Sequence, residues 1–410
     1  MQNKKISKCR SCGNTKLTSV FNLGKQPLAN ALLGNQNQIL NEKYFPLKVV
    51  ICNSCKLLQL NYTINPKILF KKYLWVTGTS KKVGVYREFF FKKISKFLRS
   101  KNNFICEIAS NDGFFLKHVK KKNKVLGIDP AINLAKKANL NGIKTIPEFF
   151  NFKLSKKIIK TEKNKPNIII CRNVIPHVEN INEVLKGIKN LLSDDGYGII
   201  EFHNASHIIK KMHYDYIYHE HIFYYTLSTL NKVLKKQGLY SFDYFISPIS
   251  GGSYVIIFSK KKIVKTKKFI NKIVFEKRNK LDHVSYWQSL NTLAKNHKKH
   301  LLKLISKYSQ KYKIVGYGAS ARSSTLLNYL NLDNKNIIKI LDANPLKKNL
   351  FTPGTNIKIN LPNKKNLKGV KVIILLAWNF KDEILKNLKK MNFKGIVIEP
   401  LPKIKITKIK

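Results

Sequence analysis

Acidic residues are scarce in this chain, which carries 22 Asp and Glu against 78 Lys and Arg, a net charge of +56 over 410 residues. No run of about 18 apolar residues occurs, which argues against a membrane-spanning helix. The first eight residues are polar and lack the apolar core of a signal peptide. We therefore expect a cytoplasmic protein without a membrane partner.

Cysteines are also few, six in all, and four of them form the pairs Cys9/Cys12 and Cys52/Cys55. Two Cys-x-x-Cys pairs suit a tetrahedral structural zinc, because each pair gives two thiolates from one tight turn at little cost in chain entropy. The other two cysteines lie in apolar runs typical of buried strands, as expected in a reducing compartment. The pattern predicts a zinc site and no disulfide framework.

The excess of positive charge is compatible with a nucleic-acid-binding protein, in which the zinc domain and a basic surface would make the contacts. Such a protein would interleave basic and aromatic residues on one element. Here the lysines are spread along the whole chain, together with abundant Asn and Ile, which indicates a general compositional bias. Nucleic-acid binding therefore stays an alternative, and the charge would also attract a substrate that carries a pyrophosphate.

Apolar runs and amphipathic stretches alternate from about residue 100 onward, which predicts α/β units with mostly parallel sheets. The candidate strands are Phe104–Ala109, Lys124–Ile128, Ile143–Ile146, Ile168–Arg172, Gly196–Phe202 and Ser253–Phe258, then Lys313–Tyr317, Ile337–Asp342, Val370–Ala377 and Gly395–Ile398. We divide the chain into a zinc-binding domain (1–72), a doubly wound, class I Rossmann-like α/β domain (73–260), a helical connection (261–310) and a C-terminal Rossmann-like domain (311–410).

The turn after the first central strand has the features of an S-adenosylmethionine site. Glu107 ends the strand, and the turn that follows brings the backbone close to the cofactor's amino-acid moiety. Asp129 ends the second strand, where a carboxylate can accept both ribose hydroxyls. S-adenosylmethionine has no pyrophosphate, so one glycine in the loop is enough. The predicted cofactor-binding residues are Glu107, Ser110, Asn111, Asp112, Gly113, Asp129, Pro130 and Asn173.

A second group, Tyr218, Glu220 and His221, follows the strand that ends near Glu201. An imidazole beside a carboxylate is an efficient base near neutral pH, and a tyrosine hydroxyl can stabilise an enolate oxygen. Metal binding by the histidines of this region is a weak alternative, because no metal-ligand spacing is repeated. These histidines are His203, His207, His213, His219 and His221.

Several blocks along the chain resemble the sugar C-methyltransferases that act on nucleotide-linked keto-deoxysugars. The N-terminal and central blocks are Cys9-Arg10-x-Cys12-Gly13, Leu23-Gly24-x-x-Pro27-Leu28-Ala29-Asn30, Glu107-Ile108-x-Ser110-Asn111-Asp112-Gly113, Asn173-Val174-x-x-His177-Val178, Tyr218-His219-Glu220-His221 and Gly251-Gly252-Ser253. The C-terminal blocks are Gly316-Tyr317-Gly318-Ala319-x-Ala321, Pro353-Gly354-Thr355 and Trp378-Asn379-Phe380. The resemblance implies a zinc-binding domain, a methyltransferase domain and a last domain that helps to enclose a nucleotide-diphosphate sugar.

The resemblance also implies roles for single residues. His221 is similar to the base that removes the proton next to the sugar ketone, and Tyr218, Glu220 and His177 would line the same pocket. Tyr73 or Trp75 would add an aromatic side chain after the zinc domain. The implied substrate-binding residues are Asn30, Ser253, Gly318 and Arg322.

The loop from Gly316 to Ala321 lies between a strand and a helix, and Asp342 ends the next strand, so this domain also shows a weak dinucleotide-binding pattern. We favour a domain that no longer binds a dinucleotide and presents Arg322 to substrate phosphates. The resulting hypothesis is an S-adenosylmethionine-dependent C-methyltransferase in which His221 generates an enolate and no metal is needed at the reacting carbon. The alternative within this class is an O- or N-methyltransferase, which needs no carbon acid.

Overall fold

The computed structural model describes residues 3–70, 77–79, 81–249 and 251–410. Its N-terminal part is built mostly of short antiparallel strands. The elements are β1 (Lys4–Lys5), β2 (Leu17–Pro27), α1 (Gln36–Leu40), β3 (Tyr44–Cys52), β4 (Leu58–Leu60), β5 (Tyr62–Thr63) and α2 (Pro66–Phe70). β2, β3 and β4 pair in sequence, and Leu17 stands opposite Cys52. This register brings the two cysteine pairs to one end of the sheet.

The central part alternates strands and helices as the sequence predicts. Its strands are β6 (Phe104–Ile108), β7 (Lys124–Ile128), β8 (Thr145–Ile146), β9 (Ile168–Arg172), β10 (Tyr197–Phe202), β11 (Phe223–Tyr224), β12 (Tyr240–Ile246) and β13 (Tyr254–Ser259). Its helices are α3 (Lys81–Ile94), α4 (Phe114–Val119), α5 (Ile132–Leu140), α6 (Phe152–Glu162), α7 (Ile181–Leu191), α8 (Ser206–Lys210) and α9 (Leu227–Lys236). The sequence analysis missed β11 and β12.

Seven of these strands form one sheet in the order β12-β13-β10-β9-β6-β7-β8. The strands from β10 to β8 are parallel, and β13 runs antiparallel to both of its neighbours. All five residues of β6 are buried, as expected for a strand covered on both faces. β7 pairs with one edge of β6 and β9 with the other, so the strand order reverses at β6. The crevice where such folds bind ligands therefore lies at the carboxyl end of β6.

The strand β11 does not join this central sheet. It pairs antiparallel with β4, with Phe223 opposite Gln59 and Tyr224 opposite Leu58. The backbone N–H of Leu60 also donates to the carbonyl of Ile222 (2.8 Å). The segment just after His221 is therefore an edge strand of the N-terminal sheet.

The last part is a second α/β unit preceded by two helices. The elements are α10 (Lys267–Arg278), α11 (Val284–Ser309), β14 (Ile314–Tyr317), α12 (Ala321–Leu330), β15 (Ile340–Leu341), β16 (Ile359–Asn360), α13 (Lys364–Leu367), β17 (Val372–Leu375), α14 (Lys381–Lys390), β18 (Gly395–Glu399) and β19 (Lys405–Ile409). The sheet order is β16-β15-β14-β17-β18-β19, parallel except for β19. The four predicted strands of this unit are confirmed, and β16 and β19 are additions.

One apolar core joins the three parts of the chain. Val20 and Phe21 of β2, Trp287 and Leu290 of α11, and Leu327 of α12 belong to the same buried cluster. Burial of such side chains is the main stabilising contribution to folding, at about 25 cal/mol per Å² of apolar surface. The predicted connection 261–310 therefore forms part of the core. Nowhere in the described ranges is a helix long and apolar enough to cross a membrane.

Candidate functional site

The four paired cysteines converge at the end of the N-terminal sheet. Their sulfur atoms all lie within 4.8 Å of one another. The Cys9 and Cys55 sulfurs are 3.7 Å apart, and those of Cys12 and Cys52 are 3.5 Å apart. A tetrahedral zinc with Zn–S bonds near 2.3 Å requires sulfur separations of about 3.8 Å. The donor set therefore fits the predicted zinc.

Neighbouring groups favour the thiolate form of Cys9 and hold the cysteine turns in place. The Cys55 thiol and the Gln59 amide, which donates to the Cys9 sulfur at 3.2 Å, lower the pKa of Cys9, whereas the contact with Cys9 raises the pKa of Cys55. Asn182 of α7 donates to the carbonyl of Ser11 (3.0 Å), and Lys236 of α9 donates to the same oxygen (2.8 Å). These bonds attach the first cysteine turn to two helices of the central domain.

The loop after β6 has the strained geometry expected of a close-approach turn. Ala109 (φ 57°) and Asn111 (φ 54°) adopt left-handed conformations, which are common for asparagine in turns but unfavourable for alanine. Gly113 (φ 73°) closes the loop at the start of α4, and a Cβ there would lie 3.0 Å from Ile143. The loop that the sequence predicts for the cofactor is thus formed, at the switch point of the sheet.

Polar atoms without partners face this crevice. Glu107 is fully buried and pairs with Arg172 at 2.7 Å. Burial raises the pKa of Glu107 to about 7, although the Arg172 guanidinium opposes the shift. Within the part of the chain that the structure describes, Glu107 Oε2, Ser110 Oγ and Asp112 Oδ1 are buried and accept or donate no hydrogen bond. Such atoms are costly to bury unless a ligand satisfies them, so these residues fit a polar cofactor with ammonium and hydroxyl groups.

Asp129 lies at the carboxyl end of β7, 5% exposed. Its two oxygens accept from the backbone N–H groups of Asn111 (2.7 Å) and Ala131 (2.9 Å). Burial raises the pKa of Asp129, and the two amides oppose that rise. Each oxygen keeps a second lone pair, so the carboxylate can still accept the two hydroxyls of a ribose. Pro130 follows it at the same edge.

We expect Asp129→Ala to weaken S-adenosylmethionine binding by about 1–3 kcal/mol, because charge-assisted hydrogen bonds to the ribose are lost. Isothermal titration calorimetry measures the change. Asp342→Ala is the matched control, since Asp342 accepts from the Ala319 N–H (2.8 Å) in the same position of the C-terminal domain. Equal affinity of a folded Asp129→Ala variant and the wild type would show that Asp129 does not hold the cofactor.

His221 and Tyr218 form a buried pair. The Nδ1 of His221 lies 2.7 Å from the carbonyl oxygen of Tyr216, and a carbonyl can only accept, so Nδ1 carries the proton. Nε2 is then the basic nitrogen, and the Tyr218 hydroxyl lies 2.8 Å from it. Burial holds the pKa of His221 well below its usual range, so the imidazole is neutral at physiological pH. The pair can accept a proton from a substrate.

Glu220 precedes His221 in the chain, and His177 lies beside the pair, but the two His221 nitrogens contact Tyr216 and Tyr218 and not the Glu220 carboxylate. The Asn30 side chain donates to both oxygens of Glu220, at 2.7 and 2.8 Å. The His177 Nδ1 contacts the Glu220 carbonyl at 2.7 Å, and its ring centroid is 4.8 Å from that of His221. Burial lowers the pKa of His177 to about 4. The structure thus brings together four of the five predicted catalytic residues.

The fifth, Tyr73, lies outside the described residues, as does Trp75. The flanking residues that are described contact the site from two sides. The ring of Phe70 packs against that of His177 with centroids 5.7 Å apart. The backbone N–H of Thr77 donates to the Asn111 side chain of the cofactor loop at 2.9 Å.

We expect the buried Glu220 to make stability depend on pH. Burial raises the pKa of Glu220 from 4.5 to about 7, while Asn30 opposes the shift. The unfolded chain ionises first, so stability falls as pH rises from about 4.5 to 7 and then levels off. Glu220→Gln should reduce this decline in the free energy of unfolding by on the order of 1–3 kcal/mol. A smaller decline should remain, because Glu107 also has a raised pKa.

Thermal unfolding of the wild type and Glu220→Gln across this pH range gives the comparison. Glu148→Gln is the control, because Glu148 is exposed. A decline of the same steepness in Glu220→Gln and the wild type would contradict the raised pKa of Glu220.

The C-terminal domain contributes Arg322, which the structure places in an ion pair. Its guanidinium donates to both oxygens of Asp215, at 3.1 and 2.9 Å, and the Trp378 indole N–H donates to the same carboxylate at 3.0 Å. Asp215 is 1% exposed and directly precedes Tyr216. Arg322 therefore fixes the segment that orients His221, and its contact with substrate phosphates stays a prediction.

The glycine loop of the C-terminal domain is closely packed. A Cβ at Gly318 would lie 2.3 Å from the Cβ of Ala377. The Lys347 ammonium group bridges the Asp342 carboxylate (3.2 Å) and the Ala319 carbonyl (2.6 Å). It thereby occupies the position where a dinucleotide ribose would bind. This arrangement favours the interpretation that the domain does not bind a dinucleotide. The predicted substrate contact of Gly318 stays a prediction.

Ser253 and Asn173, two further predicted residues, lie at the same edge of the central sheet. Ser253 is fully buried before β13, and its hydroxyl has no partner among the described residues. Asn173 (φ 52°) follows β9, and its N–H donates to the carbonyl of Glu201 at 2.9 Å. Glu201 and Arg172 also lie at this edge, but the sequence analysis did not include them among the site residues. Each is an ionisable residue near the end of an otherwise apolar strand, and this pattern could have indicated them.

Comparison with known proteins places each part of the chain. Residues 9–70 match a zinc binding domain, 85–241 a methyltransferase domain, and 248–402 the C-methyltransferase C-terminal domain. The C-methyltransferase NovU of Streptomyces niveus is 28% identical over 408 residues, which covers 98% of this chain and 97% of NovU. Together these matches identify an S-adenosylmethionine-dependent C-methyltransferase with an N-terminal zinc-binding domain.

Two solved methyltransferase structures are each similar to less than half of this chain. Magnesium protoporphyrin IX methyltransferase of Synechocystis, with S-adenosylmethionine bound, is 11% identical, with a TM-score of 0.33, over 47% of this chain and 87% of that one. An S-adenosylmethionine-dependent methyltransferase of Clostridium acetobutylicum is 13% identical, with a TM-score of 0.34, over 44% of this chain and 91% of that one. At these TM-scores they add nothing to the assignment.

Proposed function

We propose that the enzyme methylates a carbon next to the ketone of a nucleotide-linked keto-deoxysugar through an enolate that His221 generates. The observation that carries the proposal is the buried His221–Tyr218 pair, with a basic Nε2 2.8 Å from the hydroxyl. Methyl transfer to carbon needs a carbanion, and a neighbouring ketone makes the C–H bond acidic enough for an imidazole to remove the proton. This requirement explains why a base lies in the pocket.

The proton transfer and the methyl transfer need no reactant other than the sugar and the methyl donor. His221 takes the proton from the carbon, the enolate carbon forms the new C–C bond as the C–S bond breaks, and the imidazolium then releases its proton to solvent. The Tyr218 hydroxyl can donate to the enolate oxygen, since it already lies at the base. Bound S-adenosylmethionine supplies the activated methyl group.

The environment of His221 suits this role in two respects. Its Nδ1–H is held by the Tyr216 carbonyl at 2.7 Å, which fixes both the tautomer and the ring orientation. His221 is 3% exposed, so little water competes for the base. A dry site strengthens the interaction between the imidazolium and the enolate while both exist.

The nucleotide-sugar part of the proposal is supported by the sequence blocks and by charge. Asn30 lies in one of these blocks, and its side chain donates to Glu220. Arg322 directly follows the Gly316–Ala321 block and donates to Asp215, next to Tyr216. A protein with a net charge of +56 also attracts a diphosphate over a long range.

The test is incubation of the purified enzyme with S-adenosylmethionine and a panel of nucleotide-linked sugars, each keto sugar paired with its reduced alcohol. Mass spectrometry should show a gain of one methyl group with keto sugars alone, and NMR should show the new methyl bonded to carbon. A methyl group on oxygen or nitrogen, or equal methylation of the alcohols, would refute the enolate route and support the O- or N-methyltransferase alternative.

A further inference from the structure

Three histidines converge in a cluster separate from the cysteine site. His203 follows β10, His207 lies in α8, and His213 begins the 3₁₀ turn His213–Tyr216. They are 3%, 9% and 1% exposed. One ring nitrogen of each lies within 4.8 Å of the others. Imidazoles on three consecutive elements thus face one point, although their spacing in the sequence is irregular.

The separation of the ring nitrogens suits a metal better than a hydrogen bond. His203 Nε2 and His213 Nδ1 are 3.3 Å apart, which is long for a hydrogen bond between nitrogens. Two ligands of a tetrahedral zinc with Zn–N bonds of 2.0–2.1 Å are about 3.3–3.4 Å apart. The third imidazole needs only a small ring movement to complete the same triangle.

The cluster also lacks the hydrogen bonds that a purely structural role would require. Among the described residues, His207 Nδ1 is buried without any partner. His203 Nδ1 has none either, but it is the Nε2 of that ring that faces His213. Buried polar atoms in native proteins almost always have one. Rings with nitrogens that no protein group satisfies are suited to an additional ligand.

Two glycines cover the cluster. Gly251 (φ +77°) and Gly252 (φ +95°) adopt conformations that disfavour side chains, and a Cβ at Gly251 would lie 2.9 Å from the His213 ring. Lys211 donates to the Gly251 carbonyl at 3.1 Å and holds this cover in place. The glycines give the three imidazoles room and limit access of water.

We propose that His203, His207 and His213 bind one divalent transition-metal ion of the zinc type, with the fourth position open to water. Three imidazoles without a carboxylate favour Zn²⁺, Co²⁺ or Ni²⁺ over Mg²⁺ or Ca²⁺. The sequence analysis gave metal binding by the histidines of this region as a weak alternative, and this geometry supports it for three of them. The inference does not depend on the proposed substrate.

The ring of Tyr216 would separate the metal site from the proposed base, His221. The His203 ring stacks on that of Tyr216 with centroids 3.8 Å apart, and the Tyr216 ring lies 3.9 Å from that of His221. A metal that fixes His203 would thereby fix Tyr216, whose carbonyl orients His221. Its role would be that of a positioning site, away from the reacting carbon.

The test counts metal in untagged full-length protein, grown with added zinc and then passed through metal-free buffer. Elemental analysis should find two zinc ions per chain in the wild type and one in His207→Gln. His300→Ala is the control for adventitious surface binding, because His300 is exposed, and should keep two. Loss of one imidazole should weaken the site by at least about 100-fold, more than the 10- to 100-fold effect of losing an outer-shell partner.

A second measurement covers the case in which His207→Gln does not fold. Co²⁺ titrated into wild-type protein that keeps zinc on its cysteines should give the visible bands of a tetrahedral site without a thiolate-to-cobalt charge-transfer band. One zinc per chain together with no such cobalt spectrum would overturn the proposal. Two zinc ions in both the wild type and a folded His207→Gln would equally overturn it, since the second ion would lie elsewhere.

Discussion

Replacing His221 by alanine should lower methyl transfer by roughly 10²–10⁴-fold while S-adenosylmethionine affinity stays near that of the wild type. The reason is that Nε2 of His221 is the basic atom of a pair held in one tautomer by the Tyr216 carbonyl at 2.7 Å. The cofactor loop after β6 makes none of these contacts. Steady-state kinetics and calorimetry on the same preparation measure the two effects separately.

Two further variants sharpen this experiment. His219→Gln is a matched control, because His219 is in the same segment but points its Nε2 to the Phe45 carbonyl at 3.3 Å. Tyr218→Phe measures what the hydroxyl contributes, both at the Nε2 lone pair and as a donor to the enolate oxygen. A loss much smaller than that of His221→Ala means that His221 takes the proton without the hydroxyl. Near-normal activity of His221→Ala would remove His221 as the base.

Replacing Cys52 by serine should remove the structural zinc and lower stability severely. Structural zinc contributes an apparent binding free energy of about 10–16 kcal/mol in small zinc domains, which unfold without it. We expect a large drop in the melting temperature and the loss of one zinc ion per chain. Elemental analysis and thermal unfolding give both values, and Cys106→Ala, at a buried cysteine outside the cluster, should keep its zinc.

The loss should also reach the catalytic segment. Phe223 and Tyr224 pair with β4, which follows the second cysteine turn. Loss of zinc should therefore increase hydrogen exchange in the peptide that contains residues 222–224, directly after His221. A Cys52→Ser protein with a full equivalent of cysteine-bound zinc and an unchanged melting temperature would contradict the zinc assignment.

The parts of the fold that the sequence predicted are those with a local signal. The strands Lys124–Ile128 and Ile168–Arg172 occur at the predicted bounds, because runs of β-branched residues between amphipathic stretches specify buried parallel strands. The cysteine cluster was predictable for a similar reason, since its pairs are close in sequence. In both cases the physics that fixes the element acts within a few residues.

The features that the sequence did not predict depend on contacts between distant segments. The two-residue strand β11 has no pattern of its own and forms because β4 offers an open edge. The bidentate ion pair of Arg322 with Asp215 joins two domains. No local sequence pattern at either residue indicates that the two pair with each other. The histidine cluster arises from a turn that folds His213 back onto His203. Such juxtapositions follow from tertiary packing.

The central claim is that the enzyme forms an enolate on its substrate, and solvent exchange tests it most directly. Enzyme, S-adenosylhomocysteine and the keto-sugar nucleotide that is methylated most efficiently should be incubated in D₂O, and the sugar examined by NMR. Wild-type enzyme should exchange the proton next to the ketone, and His221→Ala should do so roughly 10²–10⁴-fold more slowly. No exchange by an active wild-type enzyme, or equal exchange by both proteins, would contradict the account.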